Sequence, residues 1–363
     1  MTVSFHTPVV LVLFNRPALV RKLVGVLRLV RPARILAVAD GPRSTHPGDH
    51  ETCAAARREL EGIDWPCLIE REFSPSNLGC DRRMVSGLDW AFSRVDRAII
   101  LEDDVLPDPS FFPWTAAMLD RFSGDPGVAM ISGWNPLGYW GVGHCDHLRA
   151  RSGGIWGWAT TTRGWYRTNS LELGGDPAKA IIDAARPGAD PLLAEHYGFA
   201  LRSYRNGEIA PWDVLFALRN FLLGSAAIVP PVNLVRNTGI GPDATRTWYA
   251  DDFRALIPVG TAAAAESSGA LEFDGRFDRA ALLVQLMARC IDPPMARRLA
   301  GLLRRGTKIP FDDAIRHHLA PFAVPDESLG ILEHLAAQGV ASPQFDRLLQ
   351  AIRDAAPTDP WNP

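Results

Sequence analysis

The sequence predicts an α/β protein: a mixed, mostly parallel sheet flanked by helices, followed by a C-terminal helical region. Three observations in the 363-residue chain support this class. Short apolar runs alternate with segments of helical periodicity over roughly the first 130 residues. One of these runs leads directly into three consecutive carboxylates. Beyond about residue 275, only helical periodicity recurs.

The first strand, helix and strand are predicted over residues 8–39. Residues 8–14 are apolar, Leu19, Leu23 and Leu27 recur at helical spacing, and residues 34–39 are apolar again. A helical crossover of this length makes the two strands parallel. No Gly-x-Gly-x-x-Gly pattern follows the first strand, which argues against a dinucleotide-binding fold.

The remaining elements follow from the same periodicities. Strands are predicted at residues 67–73, 98–101, 128–133 and 228–235. Helices are predicted at residues 51–60, 84–95, 111–122 and from 211 onward, and in the last part of the chain at 280–291, 295–305, 311–319, 328–338 and 344–355. Residues 260–269 are rich in alanine and serine and are typical of a linker. We therefore predict an α/β domain over 1–259, a linker over 260–274 and a helical region over 275–363.

Composition excludes several classes of partner. A formal charge of -3 gives no general attraction to nucleic acid. Five scattered cysteines show neither zinc spacing nor a disulfide framework, which favours a reducing compartment. No apolar stretch is long enough to span a bilayer. The predicted location is cytoplasmic, either free or peripheral at the inner face of the membrane.

Glu102, Asp103 and Asp104 form the strongest candidate site. They follow a buried strand and contain no basic residue among them, although adjacent like charges repel. A divalent cation such as Mn²⁺ or Mg²⁺ would offset that repulsion, because both ions prefer oxygen ligands. Open α/β sheets bind ligands at the carboxyl ends of their strands. The alternative is a solvated turn.

Two aromatic or histidine-rich stretches have more than one interpretation. Trp156 and Trp158 flank Gly157, so this stretch either packs in the core or lets the backbone approach a flat ligand such as a sugar. His144, Cys145, Asp146 and His147 include metal-ligand types. Because no further ligands accompany them at standard spacing, an irregular loop is the favoured interpretation.

An ordered set of short motifs resembles one family. The motifs, in chain order, are Phe14-Asn15-Arg16-Pro17, Ala39-Asp40-Gly41-Pro42-Arg43, Asn77-Leu78-Gly79-Cys80, Leu101-Glu102-Asp103-Asp104, Trp156-Gly157-Trp158-Ala159-Thr160, Trp212-Asp213 and Asn233-Leu234-Val235-Arg236-Asn237. Together they resemble bacterial family-2-like glycosyltransferases with the Rossmann-like GT-A fold. The acidic triplet and the Trp-Asp pair also resemble eukaryotic N-acetylglucosaminyltransferases. The resemblance covers about residues 8–250.

The resemblance implies a nucleotide-sugar donor, a divalent metal, and transfer with inversion to a glycan, lipid-linked or small-molecule acceptor. It places Asp104 on the metal, with Glu102 and Asp103 facing the ribose, the donor sugar or metal-bound water. The other implied donor-binding residues are Phe14, Asn15, Arg16, Asp40, Asn77, Arg82, Arg83 and Trp158. Arg82 or Arg83 would contact the diphosphate, because a guanidinium suits phosphate oxygens. The alternative is that both arginines lie at a solvated helix start.

Asp213 matches the catalytic base of the family, which takes the proton of the acceptor. Its alternative role is to complement the first turn of a helix. One position departs from the pattern: relatives often carry histidine where Ala244-Thr245-Arg246-Thr247 has Arg246. A cationic arginine is no metal ligand, so Arg246 would contact the diphosphate directly or the metal would be held more loosely.

Two other functions remain as alternatives. The first is a nucleotide-sugar-binding protein with impaired catalysis, for which Arg246 leaves room. The second is a sugar nucleotidyltransferase, which would need a glycine-rich basic loop after the first strand. Residues 14–17 contain no glycine, so this function ranks lower.

Overall fold

The computed structural model describes residues 5–141, 145–173, 190–208, 211–239, 252–262, 272–290, 292–304 and 317–355. The strands are β1 (Val9–Leu13), β2 (Arg34–Ala39), β3 (Leu68–Phe73), β4 (Arg97–Glu102), β5 (Val105–Pro107), β6 (Val128–Ser132), β7 (Leu148–Ala150), β8 (Trp158–Thr161), β9 (Ala226–Val229) and β10 (Val235–Asn237).

Helices cover both faces of the strands and make up most of the C-terminal region. The longer helices among the described residues are α1 (Pro17–Val30), α2 (Asp49–Arg58), α3 (Cys80–Phe92), α4 (Phe111–Phe122), α5 (Thr162–Asn169), α6 (Pro191–Arg205), α7 (Trp212–Leu222), α8 (Gly275–Ala288), α9 (Pro293–Arg304), α10 (Pro325–Ala337) and α11 (Pro343–Arg353), and a single helical turn spans Ala320–Ala323. Of the helix predicted at 311–319, residues 311–316 lie outside the described residues.

Eight strands of the described chain form one mixed sheet in the order β3-β2-β1-β4-β8-β6-β9-β7. Strands β3, β2, β1 and β4 are parallel, whereas β8 runs antiparallel to both of its neighbours. Strands β6 and β9 are parallel, and β7 closes the edge in the antiparallel direction. The predicted class, a mixed and mostly parallel sheet flanked by helices, is confirmed.

The centre of the sheet is buried on both faces, which explains the continuous apolar runs of the sequence. Val10 of β1 pairs with Leu36 of β2 and with Ile100 of β4, and all three side chains are fully buried. Strands covered by helices on both sides need no alternation of polar and apolar residues. The carboxyl ends of β1, β2 and β4 therefore meet at one edge of the sheet.

Strands β5 and β10 form a separate antiparallel ribbon directly after the acidic triplet. The sequence predicts one late strand over 228–235, but the structure has β9 and β10 with a break between them. Pro230 and Pro231 cause this break, since neither has a backbone N–H for strand pairing. The ribbon brings Val235–Asn237 beside the segment that follows Asp104.

The C-terminal helices pack on the far edge of the sheet. Asp274 caps α8 by accepting hydrogen bonds from the backbone N–H groups of Arg276 and Phe277, so the helix begins earlier than predicted. Trp140 donates its indole N–H to Asp274 over 2.8 Å. No helix among the described residues is both long and apolar enough to cross a membrane.

Candidate functional site

The acidic triplet lies at the carboxyl end of β4, beside the end of β1. Val12 of β1 is the register partner of Glu102. The backbone N–H of Phe14 donates to Oδ2 of Asp103 over 3.0 Å. This contact fixes the buried Asp103 carboxylate against the first residues of the β1–α1 turn.

Arg16 bridges two of the three carboxylates. Its Nη2 donates to Oδ1 of Asp103 over 2.5 Å, and its Nη1 donates to Oδ2 of Asp104 over 3.0 Å. Pro17 is the first residue of α1, and its fixed φ suits the first helical turn. The start of the helix at Pro17 positions Arg16, the residue before it. The Asn-Arg-Pro motif thus holds a guanidinium over the end of β4.

The cluster carries more negative than positive charge. Burial and the nearby charges of Asp104 and Asp103 raise the pKa of Glu102 to about 8. Burial also raises the pKa of Asp103 to about 6, against the opposing effect of Arg16. Burial lowers the pKa of Arg16, but the charges of Asp103 and Asp104 outweigh it, so the net shift is upward. One guanidinium therefore faces three carboxylates that repel one another.

This cluster fits a divalent cation that takes few protein ligands. Oδ1 of Asp104 accepts no hydrogen bond from the residues that the structure describes, and its side chain is partly exposed. Both Asp103 oxygens are already occupied by Phe14 and Arg16. Within the described ranges no three His, Cys, Asp or Glu side chains could hold a metal together. Mg²⁺ and similar ions often use one or two carboxylates and complete their shell with water and substrate phosphate.

Gly239 and Thr238 enclose the triplet from the β10 side. The backbone N–H and hydroxyl of Thr238 both donate to the carbonyl oxygen of Asp104, over 2.7 and 3.0 Å. A Cβ at Gly239 would lie 2.1 Å from Oδ2 of Asp104 and 2.6 Å from Nη1 of Arg16. Only glycine leaves room for this pair, a requirement that the sequence motifs did not indicate.

Asp213 lies in the first turn of α7. The N-terminal amide of α7, from Trp212, donates to Oδ1 of Asp81 over 2.7 Å. The alternative role predicted for Asp213 is a carboxylate contact to the first turn of this helix. Asp81 makes such a contact in the structure. The charge of Asp213 contributes to the raised pKa of Glu102. Asp213 also lines a narrow cavity together with Ser152 and Phe216.

Asp40, at the end of β2, holds the loop that contains Asn77. Oδ1 accepts from the backbone N–H groups of Gly41 and Leu78, over 2.8 and 2.9 Å. Oδ2 accepts from Asn77 Nδ2 and the N–H of Gly79, over 2.9 and 3.1 Å. Asn77 Nδ2 also donates to the carbonyl oxygen of Gly41. The Asp40 carboxylate thus joins the ends of β2 and β3.

A second buried carboxylate, Asp49, connects the ends of β1 and β2. Arg43 donates to it through Nε over 2.6 Å and through Nη2 over 3.0 Å. Asn15 Nδ2 donates to the same carboxylate over 2.9 Å. The Arg43 and Asn15 contacts hold the pKa of Asp49 well below its ordinary value, against the effect of burial. The sequence motifs indicated neither Asp49 nor a role for Arg43.

The remaining predicted donor-binding residues lie in different environments. Arg82 is exposed, whereas Arg83 is buried and contacts the backbone carbonyl and the carboxylate of Glu72. Trp158 is fully buried, 5.2 Å from Phe216 and 6.1 Å from Trp212 between ring centroids. For Trp158 the structure therefore favours core packing. Arg246 lies outside the described residues.

Trp156, by contrast, is half-buried near the site. Its ring lies 4.6 Å from that of Trp134, and the Arg254 guanidinium lies 5.5 Å from its centroid. Asp252 holds Arg254 in a two-point ion pair. Burial, with a contribution from Arg254, lowers the pKa of Arg289, while Asp213 and Asp252 act in the opposite direction. Arg289, just beyond α8, thus extends the charged surroundings of Asp213.

The His-Cys-Asp-His stretch forms a salt-bridged turn where it is described. His144 lies outside the described residues. Asp146 accepts from Arg121 over 3.0 Å and contacts Nδ1 of His147 over 2.6 Å. The carboxylate that a metal would need is thus paired with an arginine.

Comparisons with known proteins give distant structural likenesses. No protein-family model and no curated protein matches the chain. Among solved structures, the chain is similar to a mannosyltransferase from Pyrobaculum calidifontis in complex with GDP-Man and Mn²⁺, with 15% identity and a TM-score of 0.41 over 96% of this chain and 80% of that one. It is also similar to a glucose-1-phosphate thymidylyltransferase from Bacillus anthracis in complex with sucrose, with 11% identity and a TM-score of 0.26 over 60% of this chain and 95% of that one.

Proposed function

We propose that this protein is a metal-dependent glycosyltransferase of the GT-A type, which moves a sugar from a nucleotide-sugar donor to an acceptor with inversion. The observation that carries the proposal is the acidic cluster. Three carboxylates with one bridging arginine lie at the carboxyl end of β4, where the sheet edge offers a ligand site. Mn²⁺ or Mg²⁺ bound here would offset the negative charge of the carboxylates, and the phosphates of a nucleoside diphosphate would complete the coordination of the metal ion.

In this proposal Asp104 binds the metal and the metal neutralises charge on the departing diphosphate. Arg16, already ion-paired with Asp103 and Asp104, would orient the cluster or meet the diphosphate itself. Phe14, Asn15 and Asn77 would line the nucleoside side, and Arg82, which is exposed near the start of α3, would be accessible to the diphosphate. Asp40, Arg83 and Trp158 would not contact the donor. They would instead stabilise the loops and strands that carry the donor-binding residues.

Asp213 is the proposed catalytic base. It is half-buried, it lines a cavity, and its charge acts on Glu102, which supports a place for it beside the acidic cluster where an acceptor could bind. An ionised carboxylate there would take the proton of the acceptor hydroxyl or amine as that atom attacks the sugar. The acceptor classes remain a glycan, a lipid-linked saccharide or a small molecule.

The test is a set of nucleotide sugars assayed for binding and turnover, with Mn²⁺ and with a chelator. Asp104→Asn should lose metal-dependent donor binding. Asp213→Asn should bind donor nearly normally but lose about 100-fold or more in transfer rate. Asp120→Asn, a surface carboxylate on α4, is the matched control and should behave like the wild type. Metal-independent turnover by wild type, or wild-type turnover by Asp213→Asn, would contradict the proposal.

The same assay separates the two alternatives. A binding protein with impaired catalysis would bind a nucleotide sugar with Mn²⁺ but would neither transfer nor hydrolyse it. A sugar nucleotidyltransferase would instead form a nucleotide sugar from a sugar phosphate and a nucleoside triphosphate, and would release pyrophosphate.

A further inference from the structure

Asp40, the carboxylate expected to meet the nucleoside, is fully engaged within the protein. Its two oxygens accept four hydrogen bonds, two each, between 2.8 and 3.1 Å. A carboxylate has about four lone-pair sites, so none remains for a base N–H. A side-chain contact to a nucleobase at this edge would therefore come from a residue other than Asp40.

Arg43 lies three residues after Asp40, in the same loop. Nε and Nη2 of Arg43 are held by Asp49, and its backbone N–H donates to Asp49 as well, over 3.1 Å. The guanidinium carbon lies 5.3 Å from the centroid of the Phe14 ring. An arginine held at two points and against an aromatic ring loses little further freedom when it binds a ligand.

The remaining nitrogen of Arg43, Nη1, makes no hydrogen bond to any residue in the described part of the chain. The side chain is 40% exposed, whereas that of its partner Asp49 is 6% exposed. Arg43 is also tied to the acidic cluster through Phe14, whose backbone N–H binds Asp103. Arg43 thus keeps N–H donors that bind no described residue, on a partly exposed side chain beside Phe14.

We infer that Arg43 selects the nucleobase of the donor, and that the base is one with a ring carbonyl oxygen where adenine and cytosine carry an amino group. Uracil, thymine and guanine meet this requirement. A guanidinium has only donors, so it binds a carbonyl oxygen and meets the N–H of an amino group unfavourably. The inference rests on the proposed function, because it assumes a nucleotide donor.

The experiment measures binding of UDP, GDP, CDP and ADP to the full chain with Mn²⁺, by calorimetry. Wild type should prefer UDP or GDP. Arg43→Gln should weaken binding of the preferred nucleotide by about 10-fold and leave CDP and ADP nearly unchanged, because one specific contact is lost. Arg28→Gln is the matched control and should keep the wild-type preference. Arg28 lies on α1 and is an exposed arginine that pairs with Asp64.

Arg43→Lys provides a second variant, because lysine keeps the charge opposite Asp49 but loses the planar fork. It should also lose preference while keeping the wild-type melting temperature. The inference is overturned if wild type prefers CDP or ADP, or if both Arg43 variants fold and keep the wild-type ratio of affinities. If wild type binds none of the four nucleotides, the proposed function itself fails, and that result is distinct from an unchanged ratio.

Discussion

At the scale of single residues, Arg16 sets the charge balance of the acidic cluster. Its side chain is 24% exposed and it pairs with carboxylates that are 2% and 14% exposed. Arg16→Met keeps an apolar stem of similar length but leaves Asp103 and Asp104 without their cationic partner. We expect the free energy of unfolding, measured by urea titration in a chelator, to fall by about 2 kcal/mol, somewhat less than for a fully buried pair.

Mn²⁺ should restore more stability to Arg16→Met than it adds to the wild type, because the variant has more uncompensated negative charge at the site. Melting temperatures with and without Mn²⁺ measure this difference. Arg21→Met is the control, since Arg21 lies on the same helix but its ion pair with Glu59 is exposed. An equal response of all three proteins to Mn²⁺ would show that the ion does not bind near Arg16.

The sequence indicates residues whose chemistry is unusual in its context, and the acidic triplet is such a case. It does not indicate Asp49 or Gly239. Asp49 opens a helix, where acidic residues are common, and its partners Asn15 and Arg43 come from two other segments. Gly239 lies in a turn-rich stretch, and its tight fit against Asp104 exists only once β10 has paired with β5.

At the scale of elements, Gly157 joins the sheet to the β5–β10 ribbon. It has φ of +60°, and a Cβ there would lie 2.8 Å from Cγ1 of Val235 in β10. Gly157→Ala should therefore incur both a left-handed backbone and a steric contact, and should lower the free energy of unfolding by about 3 kcal/mol. Chemical denaturation measures this loss.

Gly224→Ala is the matched control, because Gly224 has φ of +62° but nothing within 4 Å of an added Cβ. It should lower the free energy of unfolding by about 1 kcal/mol, the backbone contribution alone. The difference between the two variants isolates the contact with Val235. Equal losses would mean that the ribbon moves away from the sheet without cost.

Element types follow well from local pattern, but strand order does not. The apolar runs of β1, β2 and β4 and the periodicity of α1 and α4 are visible in the sequence, and the structure has these elements. The insertion of β8 between β4 and β6 depends on pairing across many residues, for example Ala98 with Thr160. No local periodicity encodes such a pair, and β5 is too short to show one.

At the scale of the whole molecule, the predicted linker and C-terminal helices contact the sheet domain. Gly260 and Ala262 donate backbone hydrogen bonds to Asn233 and Ser110, and His334 contacts the carbonyl oxygens of Leu137 and Tyr139. The domain division remains a prediction. We expect limited proteolysis to cut within the predicted linker, residues 260–274, and the two fragments to stay together on native gel filtration. Separation of the fragments would show that these contacts are weak.

Asp278 of α8 connects the C-terminal helices to the sheet. Its Oδ1 accepts from the backbone N–H groups of Arg151 and Ser152, over 2.8 and 3.2 Å, just after β7. Burial raises the pKa of Asp278 from its ordinary value of 3.8 to about 7, although these hydrogen bonds and Arg151 oppose the change. The folded protein therefore keeps a proton on Asp278 that the unfolded chain has released, over the range between these two values.

Because the unfolded state binds fewer protons there, Asp278 makes stability fall as the pH rises from about 4 to about 7. Asp278→Asn resembles the protonated acid and does not ionise, so it should lack this loss. Urea titrations should show similar stability for both proteins near pH 4.5. At pH 8 the variant should be more stable by about 2–4 kcal/mol relative to that reference. A difference that stays constant with pH would mean that Asp278 is ionised in the folded protein and stabilised by the Arg151 and Ser152 N–H groups. In that case the contact would join the helices to the sheet equally strongly at pH 4.5 and at pH 8.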